Sequence, residues 1–140
     1  MASISPHVRF PDGKCKEGMN FYKAIFGGAV EFMTVGDAPA DAGLPEELDK
    51  KLIMHASLEN NDFYLSGSDM MRDPIKAGDN VSIMVDCQNQ KEVDDIFAKL
   101  AKGGDVFMKP EETFWGGYFG MVTDKYGVEW SLNFQMKPVK

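Results

Sequence analysis

The sequence predicts an α+β protein built from one βαβββ unit written twice, over residues about 4–68 and 79–136 of a single 140-residue domain. Three observations carry that reading. Lys16-Glu17 and Lys91-Glu92 recur at an offset of 75, each inside a stretch with helical apolar spacing. Gly27-Gly28-Ala29-Val30 and Gly103-Gly104-Asp105-Val106 recur at 76, where those helices must stop. The hairpin ends overlay at 65, Ser66 on Ser131, the shorter offset reflecting a longer loop in the first half. Chance delivers a pair of such matches more readily than the same strand–helix–Gly-Gly–strand–hairpin order twice. Each unit then owns a sheet with one apolar face, which the other unit or another chain must cover.

In the first unit, Ile4 to Phe10 reads as a strand and Pro11-Asp12-Gly13 as a turn. From Lys14 to Phe26, the positions Met19, Tyr22 and Phe26 recur at helical spacing. Gly27-Gly28 ends that helix. Ala29 to Val35 is a strand, and the acidic, proline-containing stretch from Gly36 to Asp49 is a loop. Lys51 to Leu58 and Asp62 to Ser66 are strands joined by the turn residues Glu59-Asn60-Asn61.

The second unit opens with an apolar strand, Val81 to Asp86. Asn89 caps a helix, with Glu92 placed as in a capping box. Val93, Ile96, Phe97, Leu100 and Ala101 form its core-facing stripe. Strands follow at Asp105 to Lys109, Gly117 to Thr123 and Val128 to Phe134, with Pro110 to Gly116 as a loop.

Composition narrows the function classes. With 15 basic and 22 acidic residues the net charge is −7, and no basic run stands out, which argues against nucleic acid as partner. No stretch has the roughly 18 uninterrupted apolar residues of a membrane span, and the first residues lack an export signal. Cys15 and Cys87 lie far apart without a C-x-x-C spacing, so they read as reduced thiols in a cytoplasmic protein, packing rather than reacting.

Phe10-Pro11-Asp12-Gly13-Lys14-Cys15-Lys16-Glu17-Gly18-Met19-Asn20-Phe21-Tyr22, followed by Phe26-Gly27-Gly28, resembles the PhnB-like branch of the glyoxalase/bleomycin-resistance/dioxygenase proteins. Ile53-Met54-His55-Ala56, Leu65-Ser66-Gly67-Ser68-Asp69, Glu112-Thr113-Phe114-Trp115 and the run from Phe119 to Gly127 agree, so the resemblance covers about Ser5 to Asn133. It implies the vicinal-oxygen-chelate fold, two cupped mixed sheets around a pocket, commonly in homodimers. Branch members often carry a label mentioning a demethylubiquinone methyltransferase. Here both Gly-Gly pairs follow helices, and no Gly-rich loop follows a strand and opens a helix as a methyl-donor nucleotide would usually require.

Metal-dependent relatives place four His, Glu or Gln ligands on the cup wall, and the resemblance puts those positions at Ser5, Ser66, Asn80 and Ser131. Hydroxyls and an amide are poor ligands for divalent transition metals, so the expectation is no metal and no other cofactor. A register slipped by two would bring His7 into the cup from the face of Ser5.

His7 and His55 each read two ways, as a hydrogen-bonded strand histidine or as a general acid/base titrating near neutrality; the resemblance leans toward His55 as a pocket neighbour. Phe114 and Trp115 form an aromatic lid, or Trp115 anchors a core or interface, and Gly116-Gly117 gives that loop freedom. Among the acid pairs, Asp94-Asp95 sits on a solvated helix face, Glu46-Glu47 starts a turn, and Glu111-Glu112 point oppositely along an extended chain. Asn133 and Ser131 share a strand face and join Ser5 and Ser66 as polar groups that would orient a ligand. The resulting expectation is a homodimer binding a small-molecule ligand without chemistry. The alternative is a lyase-, isomerase- or dioxygenase-type enzyme using a histidine for proton transfer.

Overall fold

Alternating burial along β1 (His7–Phe10) orients everything that follows in the first unit, Met1–Lys76: Val8 and Phe10 are buried, His7 and Arg9 exposed. The structure is a computed structural model and describes residues 2–69 and 75–137. Phe10 meets α1 (Cys15–Phe26), whose buried Cys15, Gly18, Met19 and Tyr22 keep the spacing of one helix face. No side chain caps α1 from its N-cap Lys14. Instead the buried Asp69 carboxylate accepts from the Cys15 N–H at 2.8 Å and the Ile53 N–H at 2.7 Å, tying helix to sheet. Gly27 and Gly28, at φ 75° and 104°, turn the chain out of the helix as expected.

β2 (Ala29–Thr34), β3 (Ile53–Glu59) and β4 (Tyr64–Asp69) complete a sheet of order β1-β4-β3-β2, with β1 parallel to β4 and the other pairs antiparallel. Two boundaries differ from the sequence reading. The first strand starts at His7, not Ile4, since Ile4 is fully exposed and Pro6 has no N–H for a ladder. The turn before β4 reaches Phe63, because the Asn60 side chain accepts from the N–H groups of Asp62 and Phe63. Between β2 and β3, Val35–Asp37 form a single 3-10 turn held by a capping box between Thr34 and Asp37.

In the second unit, Ala77–Lys140, β5 (Ile83–Asp86), α2 (Gln90–Ala101), β6 (Asp105–Glu112), β7 (Gly117–Thr123) and β8 (Glu129–Gln135) repeat the order, with a sheet β5-β8-β7-β6. Asn89 caps α2 by accepting from the Glu92 N–H at 2.8 Å, and Val93, Phe97 and Leu100 form its buried face. The buried Asp124 accepts from the N–H groups of Tyr126 and Val128 and from Trp130 Nε1, which fixes the β7–β8 turn. Residues 110–112, read as loop, instead continue β6: register shifts at Met108 accommodate Pro110, which lies against Gly120. The two units are thus two mixed four-stranded sheets, each with one helix, the doubled α+β architecture expected. Among the described residues no helix is long and apolar enough to cross a membrane.

Candidate functional site

In the first sheet the residues opposite α1 form rows of polar side chains. His7, Ser66, Ser57 and Glu31 stand side by side across β1, β4, β3 and β2. In the next row Arg9 faces Ser68, and His55 faces Met33. Side chains alternate along each strand, so both rows share one face. The His7 ring joins them: Nδ1 lies 2.7 Å from Ser66 Oγ and Nε2 3.1 Å from Ser68 Oγ. Both serines are buried, and the His55 ring sits 6.2 Å from His7. Burial, then the neighbouring charges of His55 and Arg9, lower the pKa of His7 below the usual imidazole value. A neutral ring between two hydroxyls can pass a proton or hold a ligand's polar group.

The second sheet offers a different surface. Ser131 and Asn133 on β8 share a face with Met84 of β5 and with Met121 and Phe119 of β7. Ser131 Oγ bonds Ser82 Oγ at 2.8 Å. Asn133 Oδ1 is buried without a hydrogen-bond partner among the described residues. A Cβ on Gly117 would stand 2.6 Å from that oxygen and 2.7 Å from Trp115 Nε1, so the missing side chain admits both groups. Trp115 packs edge-on against Phe119 at 5.7 Å and Phe114 at 5.2 Å, while Phe114 itself is 98% exposed. The loop is tethered, since Thr113 Oγ1 donates to the Gly117 carbonyl and Gln135 Nε2 to that of Trp115.

The remaining positions are dispersed. Ser5 is exposed before β1, and Asn80 is exposed before β5. The ladders set His7 opposite Ser66 and Met84 opposite Ser131, so the slipped register is the one observed and Ser5 and Asn80 do not face those serines. Asp94 accepts from the Tyr118 hydroxyl and Asp95 pairs with Lys91, each at 2.7 Å, so that pair decorates the helix surface. Burial, with nearby carboxylates, pushes the Cys15 thiol up to about 12 and Cys87 up to about 11, which leaves both thiols protonated and unreactive. Sequence reading missed Arg9, Ser57 and Ser68 as neighbours of His7. The period-two spacing of His7 with Arg9 and of Ser66 with Ser68 was the available signal.

The resemblance implies a metal in some relatives, and the donor chemistry here does not fit one. An imidazole already bonded at both nitrogens, hydroxyls and a thioether replace the carboxylates and imidazoles such ions favour. Among the described residues no three His, Cys, Asp or Glu side chains gather as a metal site.

A family model described as 3-demethylubiquinone-9 3-methyltransferase matches residues 2–133. Protein YjdN of Escherichia coli (strain K12) is 30% identical over 143 residues, 93% of either chain. Protein PA1353 from Pseudomonas aeruginosa matches with a TM-score of 0.81 and 33% identity, over 96% of this chain and 100% of that one. The PhnB protein from Bacillus cereus matches with a TM-score of 0.74 and 28% identity, over 95% and 99%. A glyoxalase/bleomycin resistance protein/dioxygenase from Nocardioides, 14% identical with a TM-score of 0.60 over 100% of this chain and 88% of that one, shares the fold.

Proposed function

This chain belongs to the 3-demethylubiquinone-9 3-methyltransferase family, the PhnB-like branch of the glyoxalase/bleomycin-resistance superfamily, and we propose that it binds a small molecule on the polar face of its first sheet. The observation that carries the reading is the His7 ring spanning Ser66 and Ser68, with His55 beside it. Seven polar side chains in two adjoining rows are a costly use of a sheet face unless something polar meets them. The family description names a methyl transfer. Both Gly-Gly pairs close helices rather than opening one onto a strand end, which favours binding over that chemistry.

Thermal-shift and calorimetric screening against metabolites and antibiotics tests the proposal. A ligand that raises Tm in the native protein and fails to do so in Ser66→Ala and His55→Ala is the expected result. Hits insensitive to both substitutions place binding elsewhere.

One observation favours a second, enzymatic reading. A lowered imidazole pKa keeps His7 neutral at physiological pH, as a proton acceptor requires. Turnover of a bound ligand, lost in His7→Gln with the fold intact, would replace passive binding by acid/base catalysis.

A further inference from the structure

Unlike groups surround one hydroxyl in the second row of that face. Arg9 on β1 stands opposite Ser68 on β4. His55 lies one position beyond the Ala56–Gly67 pair of β3 and β4, which sets it on the other side of Ser68. Neighbouring strands are about 4.8 Å apart, so these three side chains rise from the sheet within roughly 10 Å. His7 leans in from the adjoining row.

The His7 tautomer sets the hydrogen-bond polarity. Ser66 Oγ lies 2.7 Å from His7 Nδ1 and 3.5 Å from the Pro6 carbonyl, so the nearer acceptor for its proton is the ring nitrogen. In the tautomer that accepts at Nδ1, the ring hydrogen is on Nε2 and is donated to Ser68 Oγ. In that tautomer the Ser68 hydroxyl keeps its own hydrogen for an acceptor above the sheet. Among the described residues Arg9 has no carboxylate within ion-pair distance, in a chain whose net charge is −7. Among the described residues the side chains named beside Ser68 can each donate, while the Glu31 carboxylate of the same face stands two strands away on β2.

We propose that Ser68 is the centre of an oxyanion-binding site, where its hydroxyl, the Arg9 guanidinium and the His55 ring hold a carboxylate or phosphate group of the ligand. His7 and Ser66 are positioning residues that aim the Ser68 hydrogen. A guanidinium fork suits either anion, and charge-assisted bonds to it are the strong ones. The inference rests on the reading of this face as the binding face and names the chemistry that the face selects.

The full-length protein, labelled with nitrogen-15 in its histidine rings, is titrated with inorganic phosphate and separately with succinate, against sodium chloride of matched ionic strength. Saturable displacement of the His7 and His55 signals by one or both anions, absent with chloride, is expected. Response to phosphate alone assigns a phosphoryl group, and response to succinate alone assigns a carboxylate. Ser68→Ala and Arg9→Gln should each weaken saturation about tenfold or more, with far-UV circular dichroism unchanged. Should Ser68→Ala fail to fold, the exposed Arg9→Gln carries the test. Displacement that never saturates, or that survives both substitutions, overturns the proposal. If neutral metabolites move the same signals while both anions do not, the oxyanion assignment falls and the binding reading stands; silence from every compound ends both.

Discussion

The phenyl ring of Phe10 occupies the place where a side chain on Gly18 would begin. A Cβ there would lie 2.7 Å from Cζ and 2.8 Å from Cδ1 of that ring, closer than carbon atoms pack. Gly18 is therefore the contact point by which α1 lies flat on β1, and the weak helix propensity of glycine is the accompanying cost. Gly18→Ala should destabilise the protein by about 1–3 kcal/mol through overpacking, despite a gain in helix propensity. Pairing it with Phe10→Leu should recover part of that loss. Urea unfolding of the two single variants and the double variant measures the coupling; strictly additive effects would mean that the ring and the helix do not share this space.

Asp69 performs the task that a capping side chain would otherwise do for α1. Its carboxylate serves the Cys15 N–H and the Ile53 N–H together, and it is only 3% exposed. Asp69→Ala leaves two backbone donors without an acceptor, at about 1–3 kcal/mol for each buried group. Chemical denaturation should show a loss of about 3 kcal/mol, with Asp69→Asn retaining part of it through its carbonyl oxygen. A loss under about 0.5 kcal/mol in the alanine variant would place the cap elsewhere.

The elements visible in the sequence are those specified locally. The α2 stripe, the Asn89 cap and the Gly-Gly terminators each depend on residues a turn apart, and all three stand where periodicity put them. The site is less legible because it depends on pairing between distant strands. His7 and Ser66 are 59 residues apart in the chain, and nothing local says which residue of β1 faces Ser66. A slip of two separates the Ser5 expectation from the observed His7, because strand faces repeat every two residues and either choice keeps the polar side outward. Pro6, unable to donate a ladder bond, was the clue that the strand begins later. Asp69 was invisible for the same reason as Ser66, since its partners lie 54 and 16 residues away.

The pKa of His7 ties stability to pH with a definite sign. Burial first, then His55 and Arg9, depress it below the unfolded value near 6.5. As pH falls from neutrality the unfolded chain takes up that proton before the folded one does. Stability should therefore fall as pH drops through about 6.5 and level off below the folded pKa. The groups facing His7 across its sheet are Arg9 on β1, His55 on β3 and Glu31 on β2. In His7→Gln this component disappears, so calorimetric Tm measured between about pH 7 and pH 5 should decline less steeply than in the native protein. Equal slopes would show that the ring titrates normally in the fold.

Asn133 is where stability and ligand recognition pull apart. Its amide oxygen is buried with no donor among the described residues, beneath an indole held over Gly117. An unsatisfied buried acceptor costs about 1–3 kcal/mol, a penalty that an apolar side chain of similar size does not incur. Asn133→Leu should then leave the protein as stable as before or more so, by about 1 kcal/mol, as read by urea unfolding. If Asn133 instead meets the hydrogen-bond donor of a ligand bound on the second sheet, the same substitution should weaken binding of a hit that Ser66→Ala and His55→Ala leave unaffected, while raising Tm. Opposite signs in the two measurements identify a group kept for recognition at the expense of packing. A loss of stability in Asn133→Leu would show that the oxygen already has a partner in solution, and the amide would then belong to the scaffold.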